Sequence, residues 1–150
     1  MTEFRSGYVA LIGRPNAGKS TLLNQILGGK LAIISSKPQT TRNRIVGVHT
    51  GEDMQAVLVD TPGIHDAFTE LNKVMVGHAM QALRDVDVVC WLGDMTTLAS
   101  RIHRKKDLLN PEDELIIRAI EATGKPVIFV ANKIDVVPLP MLLPVMEAIH

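Results

Sequence analysis

The feature that most constrains this chain is the segment GRPNAGKS at residues 13–20. It follows a short apolar run at residues 8–12 and precedes residues 20–27, whose apolar side chains have helical spacing. This context is the one that the GxxxxGK[ST] motif requires. We therefore predict a strand, a glycine-rich phosphate loop and a helix, in which backbone N–H groups and the helix N-terminus face phosphate oxygens.

The residues of this loop have distinct predicted roles. Lys19 is expected to reach the β and γ phosphates of a nucleotide, and Ser20 is expected to bind Mg²⁺ through its hydroxyl. A chance glycine-rich turn is the alternative, and the position directly after a strand argues against it. The predicted nucleotide-binding residues of the loop are Gly13, Arg14, Pro15, Asn16, Ala17, Gly18, Lys19, Ser20 and Thr21.

Strand and helix patterns alternate along the rest of the chain. Residues 44–50 and 55–59 indicate two strands joined by a turn at residues 51–53, so one antiparallel edge strand is expected. Continuous apolar runs predict buried strands at residues 86–92 and 127–131, and amphipathic spacing or capping signals predict helices at 71–83, 111–123 and 141–150. This order predicts an α/β fold of three layers, a P-loop NTPase fold with a mostly parallel sheet and its ligand beyond the carboxyl ends of the strands.

Size and charge narrow the class of protein. A chain of 150 residues suffices for one α/β domain. Its 16 basic and 16 acidic residues balance, so the net charge does not attract it to nucleic acid or to an anionic membrane. The single cysteine, Cys90, lies in an apolar run, so we predict a core thiol and a reducing cytosol rather than a disulfide. No run approaches the ~20 apolar residues of a membrane span, which predicts a soluble protein.

Two segments are expected to hold the metal and sense the terminal phosphate. In VDTPG, Asp60 follows a strand and should face the magnesium beside Ser20, with Thr61, Pro62 and Gly63 completing the nucleotide contacts. An ordinary Pro-Gly turn is the alternative. In PQTTR, Thr41 is the predicted γ-phosphate sensor, with Thr40 as the alternative. The predicted metal ligands are thus Ser20, Thr41 and Asp60.

The segment NKID at residues 132–135 predicts the choice of base. A carboxylate at Asp135 can accept hydrogen bonds from the ring N–H and the exocyclic amine of guanine, which adenine cannot supply. Asn132 and Lys133 complete the predicted base-binding residues. Because three motifs occur in the right order, the sequence favours GTP over ATP.

The segments GRPNAGKSTLLN, KPQTTRNRIVG, VDTPG and NKID resemble those of translation-factor-related GTPases and most of all the bacterial Era family. The resemblance covers most of residues 6–135. It implies a Ras-like fold, Mg²⁺-dependent GTP hydrolysis, a role in small-ribosomal-subunit assembly with 16S rRNA, and some association with the inner membrane.

The resemblance also implies a modified hydrolytic mechanism. Ile64 stands where Ras-type enzymes have the glutamine that orients the attacking water, and isoleucine has no hydrogen-bonding group. In related GTPases with asparagine at the position of Asn16, that side chain helps to hold K⁺ near the phosphates, so potassium-stimulated hydrolysis is expected. The predicted catalytic residues are Lys19, Asn16, Thr41 and Gly63.

Two departures from the family pattern are expected to matter. The fifth motif and the RNA-binding KH domain do not follow residue 150, so residues 1–150 are predicted to be a truncated G domain with an uncovered edge at residues 127–131. Residues 95–110, which include RIHRKK, are predicted to be a solvated, mobile loop.

Two other functions remain open. A nucleotide-binding module of the same fold with little or no turnover would follow if truncation or Ile64 leaves the water unpositioned. A P-loop ATPase or kinase is opposed by the NKID segment.

Overall fold

The computed structural model describes residues 3–14, 16–28, 44–60 and 83–149, and for residues 44–46 and 60 it describes the backbone only. The strands are β1 (Arg5–Gly13), β2 (Arg44–Thr50), β3 (Met54–Asp60), β4 (Val88–Asp94) and β5 (Val127–Asn132). The helices are α1 (Lys19–Ile26), α2 (Met95–His103), α3 (Pro111–Glu121) and α4 (Leu139–Ile149), with a 3-10 helix at Ile134–Val136.

The described strands form one five-stranded sheet in the order β2-β3-β1-β4-β5. β2 and β3 are antiparallel, and the remaining pairs are parallel. The β2–β3 turn closes with a hydrogen bond from the Gly51 N–H to the Met54 carbonyl at 2.8 Å. The predicted α/β fold with one antiparallel edge strand is confirmed, and so is the predicted hairpin.

The core has two parts, one on the sheet and one between helices. On the sheet, alternate residues of β1 and β4 pack against α3, where Trp91 is in the same buried cluster as Ile116 and Ile120. The Trp91 ring also contacts Phe129 of β5, with ring centroids 4.8 Å apart. The second cluster joins α2 to α4 through buried side chains that include Met95, Leu98 and Val145. These clusters hold β1, β4 and β5 so that their carboxyl ends share one edge.

The predicted loop at residues 95–110 is wrong in its first half. Residues 95–103 form α2, whose first turn is capped by Asp94. Its apolar residues Met95, Leu98, Ala99 and Ile102 recur at helical spacing and lie against the second cluster. Burial of this face stabilises the helix, and the basic residues Arg101 and His103 in its last turn are favourable with the helix dipole.

Two predictions about burial are also wrong in degree. The strand at residues 127–131 was expected to be buried, yet Val127 and Ile128 of β5 are 46% and 53% exposed. β5 pairs only with β4 among the described strands, so one side of it lacks a neighbour there. Cys90 is half-buried rather than fully buried, and this burial raises the pKa of its thiol.

The helix at Pro111–Glu121 begins as predicted. Asn110 caps it by accepting a hydrogen bond from the Asp113 N–H at 2.8 Å, and Pro111 occupies the first helical position. The predicted helix at residues 71–83 lies outside the described residues except for Leu83, which is buried. Among the described residues, no helix is both long and apolar enough to cross a bilayer.

Candidate nucleotide-binding site

Three neighbouring strands end side by side at the edge where the sequence predicts a ligand. Gly13 of β1 pairs with Leu92 of β4, and Asp94 of β4 pairs with Asn132 of β5. The chain leaves this edge in the phosphate loop after β1, in α2 after β4 and in the 3-10 helix after β5. In an open parallel sheet, this edge is where ligands bind.

The phosphate loop is held in a tight turn before α1. Asn16 has a φ of 62°, and Gly18, which caps α1, has a φ of 101°. The Ala17 N–H donates to the Arg14 carbonyl at 3.2 Å, which closes the turn. A Cβ atom on Gly18 would overlap the side-chain amide nitrogen of Asn132. Glycine is therefore required at this position both by its φ and by the close approach of Asn132.

Lys19 is the first residue of α1, and its ammonium group lies over the loop. The Nζ atom donates to the Gly13 carbonyl at 2.6 Å and lies 3.5 Å from the Arg14 carbonyl. The next residue, Ser20, lies exposed in the first turn of α1, as does Thr21. The cation and the two hydroxyls thus lie at the end of α1 that presents its backbone N–H groups to an anion.

Asn132, the last residue of β5, contacts the phosphate loop directly. Its Nδ2 atom donates to the Ala17 carbonyl at 2.7 Å, across 115 positions of sequence. Ala17 itself is buried, with 1% of its surface exposed. This hydrogen bond joins the residue that begins the NKID segment to the backbone that is predicted to bind phosphate.

Lys133 and Asp94 form a second connection at the same edge. Lys133 has a φ of 62°, and its Nζ atom donates to Asp94 Oδ2 at 2.8 Å. Asp94 Oδ1 accepts from the Thr96 N–H at 3.0 Å and from the Thr96 hydroxyl at 2.6 Å. Burial alone would raise the pKa of Asp94, but the hydrogen bonds and charge of Lys133 and the Thr96 donors lower it.

Sequence reasoning missed Asp94. The available signal was an aspartate at the end of a predicted strand, two residues before a threonine and directly before apolar residues at helical spacing. That pattern indicates an N-cap. Its ion pair with Lys133, by contrast, has no local sequence signal.

Asp135 lies in the 3-10 helix after Asn132 and Lys133, and its side chain is exposed. It follows the two residues that are tied to the phosphate loop and to Asp94. The structure therefore places the predicted base-selecting carboxylate at the same edge as the predicted phosphate-binding lysine.

Arg14 connects the phosphate loop to the start of α3. Its Nε atom donates to Glu112 Oε2 at 2.8 Å, with both side chains partly exposed. Next to this pair, Asp113 is buried, and its Oδ2 atom has no hydrogen-bond partner among the described residues. Burial raises the pKa of Asp113, although the nearby Arg14 charge acts in the opposite direction. Sequence reasoning predicted neither the ion pair nor the buried carboxyl group.

Several predicted site residues lie outside the described residues. These are Pro15, Thr40, Thr41, Thr61, Pro62, Gly63 and Ile64. For Asp60 the structure gives the backbone position, at the end of β3 and next to β1. Within the described ranges, no group of three histidine, cysteine or acidic residues could hold a metal ion.

The donor set predicted for magnesium is nevertheless consistent with the described backbone. The exposed Ser20 hydroxyl begins α1, and Asp60 ends the strand that pairs with β1. Hydroxyl and carboxylate oxygens are the ligands that Mg²⁺ prefers.

Residues 8–133 match the family model described as "50S ribosome-binding GTPase". The match includes the phosphate loop and the Asn132–Lys133 pair. The chain belongs to this family of GTPases. It is 47% identical to GTPase Era of Geotalea daltonii over 99% of the chain and 47% of that relative's length.

Solved structures agree with this family assignment. The chain resembles a crystal structure of a variant of Aquifex aeolicus Era bound to GDP·AlF4⁻, with 39% identity and a TM-score of 0.67 over 97% of the chain and 46% of that structure. It also resembles Era in complex with MgGDPNP and a segment of 16S ribosomal RNA, with 40% identity and a TM-score of 0.70 over 99% of the chain and 47% of that structure. The predicted resemblance of this chain to the Era family is confirmed, although the chain spans about half the length of the relatives that it matches.

Proposed function

We propose that this chain is the G domain of an Era-type GTPase, which binds GTP, hydrolyses it to GDP and phosphate, and changes conformation between the two states. The observation that carries the proposal is the hydrogen bond from Asn132 Nδ2 to the Ala17 carbonyl at 2.7 Å. It supports a single pocket in which one motif holds the phosphates and the other selects the base.

On the phosphate side, the chain supplies charge and oriented donors. Lys19, whose Nζ atom donates to the Gly13 carbonyl at 2.6 Å, would place its positive charge beside the β and γ phosphates. The backbone N–H groups at the start of α1 add fixed partial positive charge. Because these donors are in place beforehand, they stabilise the negative charge of the transition state at little cost in reorganisation.

On the base side, Asp135 is the proposed guanine selector. Its carboxylate would accept from the ring N–H and the exocyclic amine of guanine, while adenine would leave it without donors. The hydrogen bond of Lys133 to Asp94 at 2.8 Å fixes the residue between Asn132 and the selector segment.

We assign the metal ligands to Ser20, Thr41 and Asp60. When bound, Mg²⁺ would neutralise charge on the β and γ phosphates and orient them. Thr61, Pro62 and Gly63 would complete the site, and the Gly63 N–H could approach the γ-phosphate because glycine has no Cβ atom.

The attacking water requires a positioning group other than residue 64, since Ile64 cannot hydrogen-bond. We propose that a potassium ion held with the help of Asn16 supplies it. Asn16 is exposed and has a φ of 62° within the phosphate loop. Hydrolysis should be faster in potassium than in sodium buffer, and Asn16→Ala should abolish that difference. Equal rates of the original chain in the two buffers would remove the proposal for potassium while leaving GTP binding intact.

The test of turnover is a single-turnover assay with excess chain over radiolabelled GTP in Mg²⁺ and K⁺. The proposal predicts that bound GTP decays to GDP, and that Lys19→Ala loses both binding and turnover. Bound GTP that persists without GDP formation would support a nucleotide-binding module instead. Competition by excess ATP, but not by GDP, would support a P-loop ATPase or kinase.

The proposed partners are those suggested by the relatives. One similar structure contains 16S ribosomal RNA, which supports a role of the whole protein in assembly of the small ribosomal subunit. We assign most of that RNA contact to a KH domain outside residues 1–150, and we propose a cytoplasmic location with peripheral association at the inner membrane. Filter binding of a 16S 3′-end RNA should be weak for this chain, and flotation with vesicles of anionic lipid tests the membrane contact.

We further propose that an additional strand of the G domain pairs with the outer side of β5. Exposure of Val127 and Ile128 on the outer strand supports this proposal. A longer version with the following residues should slow amide hydrogen exchange in β5. Unchanged exchange in β5 would contradict it.

A further inference from the structure

A second cationic pocket lies beside the phosphate loop. This pocket, which we call the α2–α3 pocket, has a volume of about 400 Å³ and lies between α2, the start of α3 and Arg14. Its cationic lining residues are Arg14, Arg101, Arg104 and Lys106. Neither Lys19 nor Ser20 lines it, so it is separate from the place where the nucleotide phosphates are proposed to lie.

The backbone at the end of α2 holds two of these cations together. Lys105 has a φ of 53°, its N–H donates to the Ile102 carbonyl at 2.9 Å, and the Lys106 N–H donates to the Arg101 carbonyl at 3.0 Å. This pair of hydrogen bonds is a Schellman turn, in which the chain reverses over the last turn of the helix. The turn therefore returns Lys106 to the side of Arg101, although this φ is unfavourable for a non-glycine residue.

Arg101 is fixed by the loop that follows. Its Nε atom donates to the Asp107 carbonyl at 2.7 Å, and its Nη2 atom donates to the Leu109 carbonyl at 3.0 Å. Both acceptors are neutral, so the guanidinium keeps its full positive charge. It retains further N–H donors that can face the pocket.

The charge of the pocket is not balanced by its own lining. No acidic residue is among the described residues that line it. Glu112 pairs with Arg14, and Asp113 is buried beneath the start of α3 with 4% exposure. Among the described residues, no carboxylate pairs with Arg104 or Lys106, both of which are exposed.

The neutral lining residues are also suited to an anion. The hydroxyl groups of Thr97 and Ser100 of α2 face the same pocket and can donate to anionic oxygens. The described lining contains no aromatic or aliphatic residue, so neither base stacking nor apolar burial is available for recognition. Charge and hydrogen bonding alone fit a phosphate group.

We propose that the α2–α3 pocket binds a phosphate group of a second ligand while the nucleotide occupies the phosphate loop. Arg14 would couple the two sites, because its side chain lines the pocket and its carbonyl accepts from the Ala17 N–H within the loop. Two sources share this chemistry: the backbone phosphate of an RNA strand and a small diphosphate. Phosphate in the pocket would compete with Glu112 for the Arg14 guanidinium.

The test is a titration of the GDP-saturated chain with pyrophosphate and, separately, with a single-stranded oligouridylate. Binding is followed by NMR of the arginine Nε–H groups, in which the Arg101 signal should shift. We then use whichever of the two probes binds the original chain more tightly. The double variant R104A/K106A should bind that probe at least about 10-fold more weakly than the original chain does, since each lost charged hydrogen bond is worth about 1.5–3 kcal/mol. Binding of GDP should be unchanged in this variant, which keeps the test separate from the proposed function.

The matched control is R84A/R118A, which removes the same charge from exposed positions outside the pocket. This variant should lower the affinity for the same probe by less than about 2-fold at physiological ionic strength, because exposed charges beyond about 8 Å are screened. Tighter binding of oligouridylate identifies an RNA backbone as the ligand, and tighter binding of pyrophosphate identifies a small diphosphate. Equal weakening by the two double variants, or no shift of the Arg101 signal with either probe, would overturn the proposal.

A second variant should raise the affinity of the pocket for phosphate. Glu112→Gln removes the carboxylate that competes for Arg14 and should tighten the same probe by about 2–5-fold, in line with an exposed ion pair of up to ~1 kcal/mol. Weaker binding by this variant would contradict the proposed part of Arg14. Because the change removes a negative charge and leaves the cations in place, it is independent of any loss of folding in the double variant.

Discussion

The phosphate loop and the segment at residues 132–136, which we call the base segment, lie at the same edge of the sheet but are held differently. The loop is anchored by buried Ala17, by the Asn132 hydrogen bond and by Lys19. The base segment is anchored at Asn132 and Lys133, while Ile134, Asp135 and Val136 are exposed. The difference indicates that contacts within the chain fix the phosphate loop, whereas the base segment presents the exposed carboxylate of Asp135.

The largest expected effect comes from Gly18→Ala, which tests how rigidly the loop is held. The new Cβ atom would overlap Asn132 and force an alanine into a φ of 101°. The strain of roughly 1–2 kcal/mol and a lost hydrogen bond of about 1 kcal/mol predict GDP binding about 30–150-fold weaker by isothermal titration calorimetry.

Gly28→Ala is the matched control for this variant. Gly28 also has a positive φ, 67°, but nothing lies within 4 Å of a Cβ atom placed there. It should lower the free energy of unfolding by about 1 kcal/mol and leave GDP affinity unchanged. If the two variants lose the same affinity for GDP, the close approach of Asn132 to Gly18 does not determine GDP binding.

Asn132→Ala breaks the connection between the two regions. The Ala17 carbonyl would lose its donor in a buried position, which costs about 1–1.5 kcal/mol and predicts roughly 10-fold weaker GDP binding. Asn110→Ala is the control, because Asn110 caps α3 and its loss should lower stability by ~1 kcal/mol without changing GDP affinity. Unchanged GDP binding by Asn132→Ala would show that the contact is not needed for the pocket.

Asp94→Asn tests the anchor of the base segment. The change removes the ion pair with Lys133, which is partly exposed, and should lower stability by about 0.5–1 kcal/mol at pH 7. The folded pKa of Asp94 is lowered, so its stabilising contribution is present above the unfolded pKa of about 4 and is lost as the pH falls through the folded value. Urea unfolding at a series of pH values should therefore show the two proteins converging below about pH 4.

Asp113→Asn should change stability at pH 7 in the opposite direction from Asp94→Asn. Burial is the main reason why the pKa of Asp113 is raised in the folded protein. As the pH rises above the pKa of this group in the unfolded chain, the buried carboxylate therefore lowers the stability of the fold. The asparagine variant should be more stable than the original chain at pH 7, and this advantage should disappear in acid. A loss of stability at pH 7 would mean that Asp113 is charged and stabilised by Arg14.

The smallest expected effect on stability is that of Asp135→Ala. The side chain is exposed, so the free energy of unfolding should change by less than about 0.5 kcal/mol. Thermal unfolding without nucleotide measures it. A larger loss would show that the base segment is held by Asp135 and is not open as described.

Local sequence signals were sufficient for the elements whose partners are near in sequence. The β2–β3 hairpin was predicted because a short polar turn separates two apolar strands, and α3 was predicted from Asn110, Pro111 and the acids that follow. The phosphate loop was predicted because its glycines and lysine have a fixed spacing.

Local sequence patterns did not predict the features that depend on contacts between residues far apart in sequence. The basic residues at the end of α2 concealed a helix whose stability depends on packing against Val145 of α4. The family pattern predicted an uncovered edge at β5, but its apolar run alone predicted a buried strand, because such a run has the same sequence with one or two neighbouring strands. The pair of Asp94 and Lys133 is 39 positions apart, beyond any local pattern.

The most direct test of guanine binding is a calorimetric comparison of GDP and ADP on the same preparation of this chain. The account predicts that GDP binds at least about 100-fold more tightly, because adenine leaves the Asp135 carboxylate without donors. Asp135→Asn should lose this preference and gain affinity for xanthosine diphosphate, whose C2 carbonyl oxygen can accept a hydrogen bond from the new amide N–H. Equal affinities of the original chain for GDP and ADP would contradict the account.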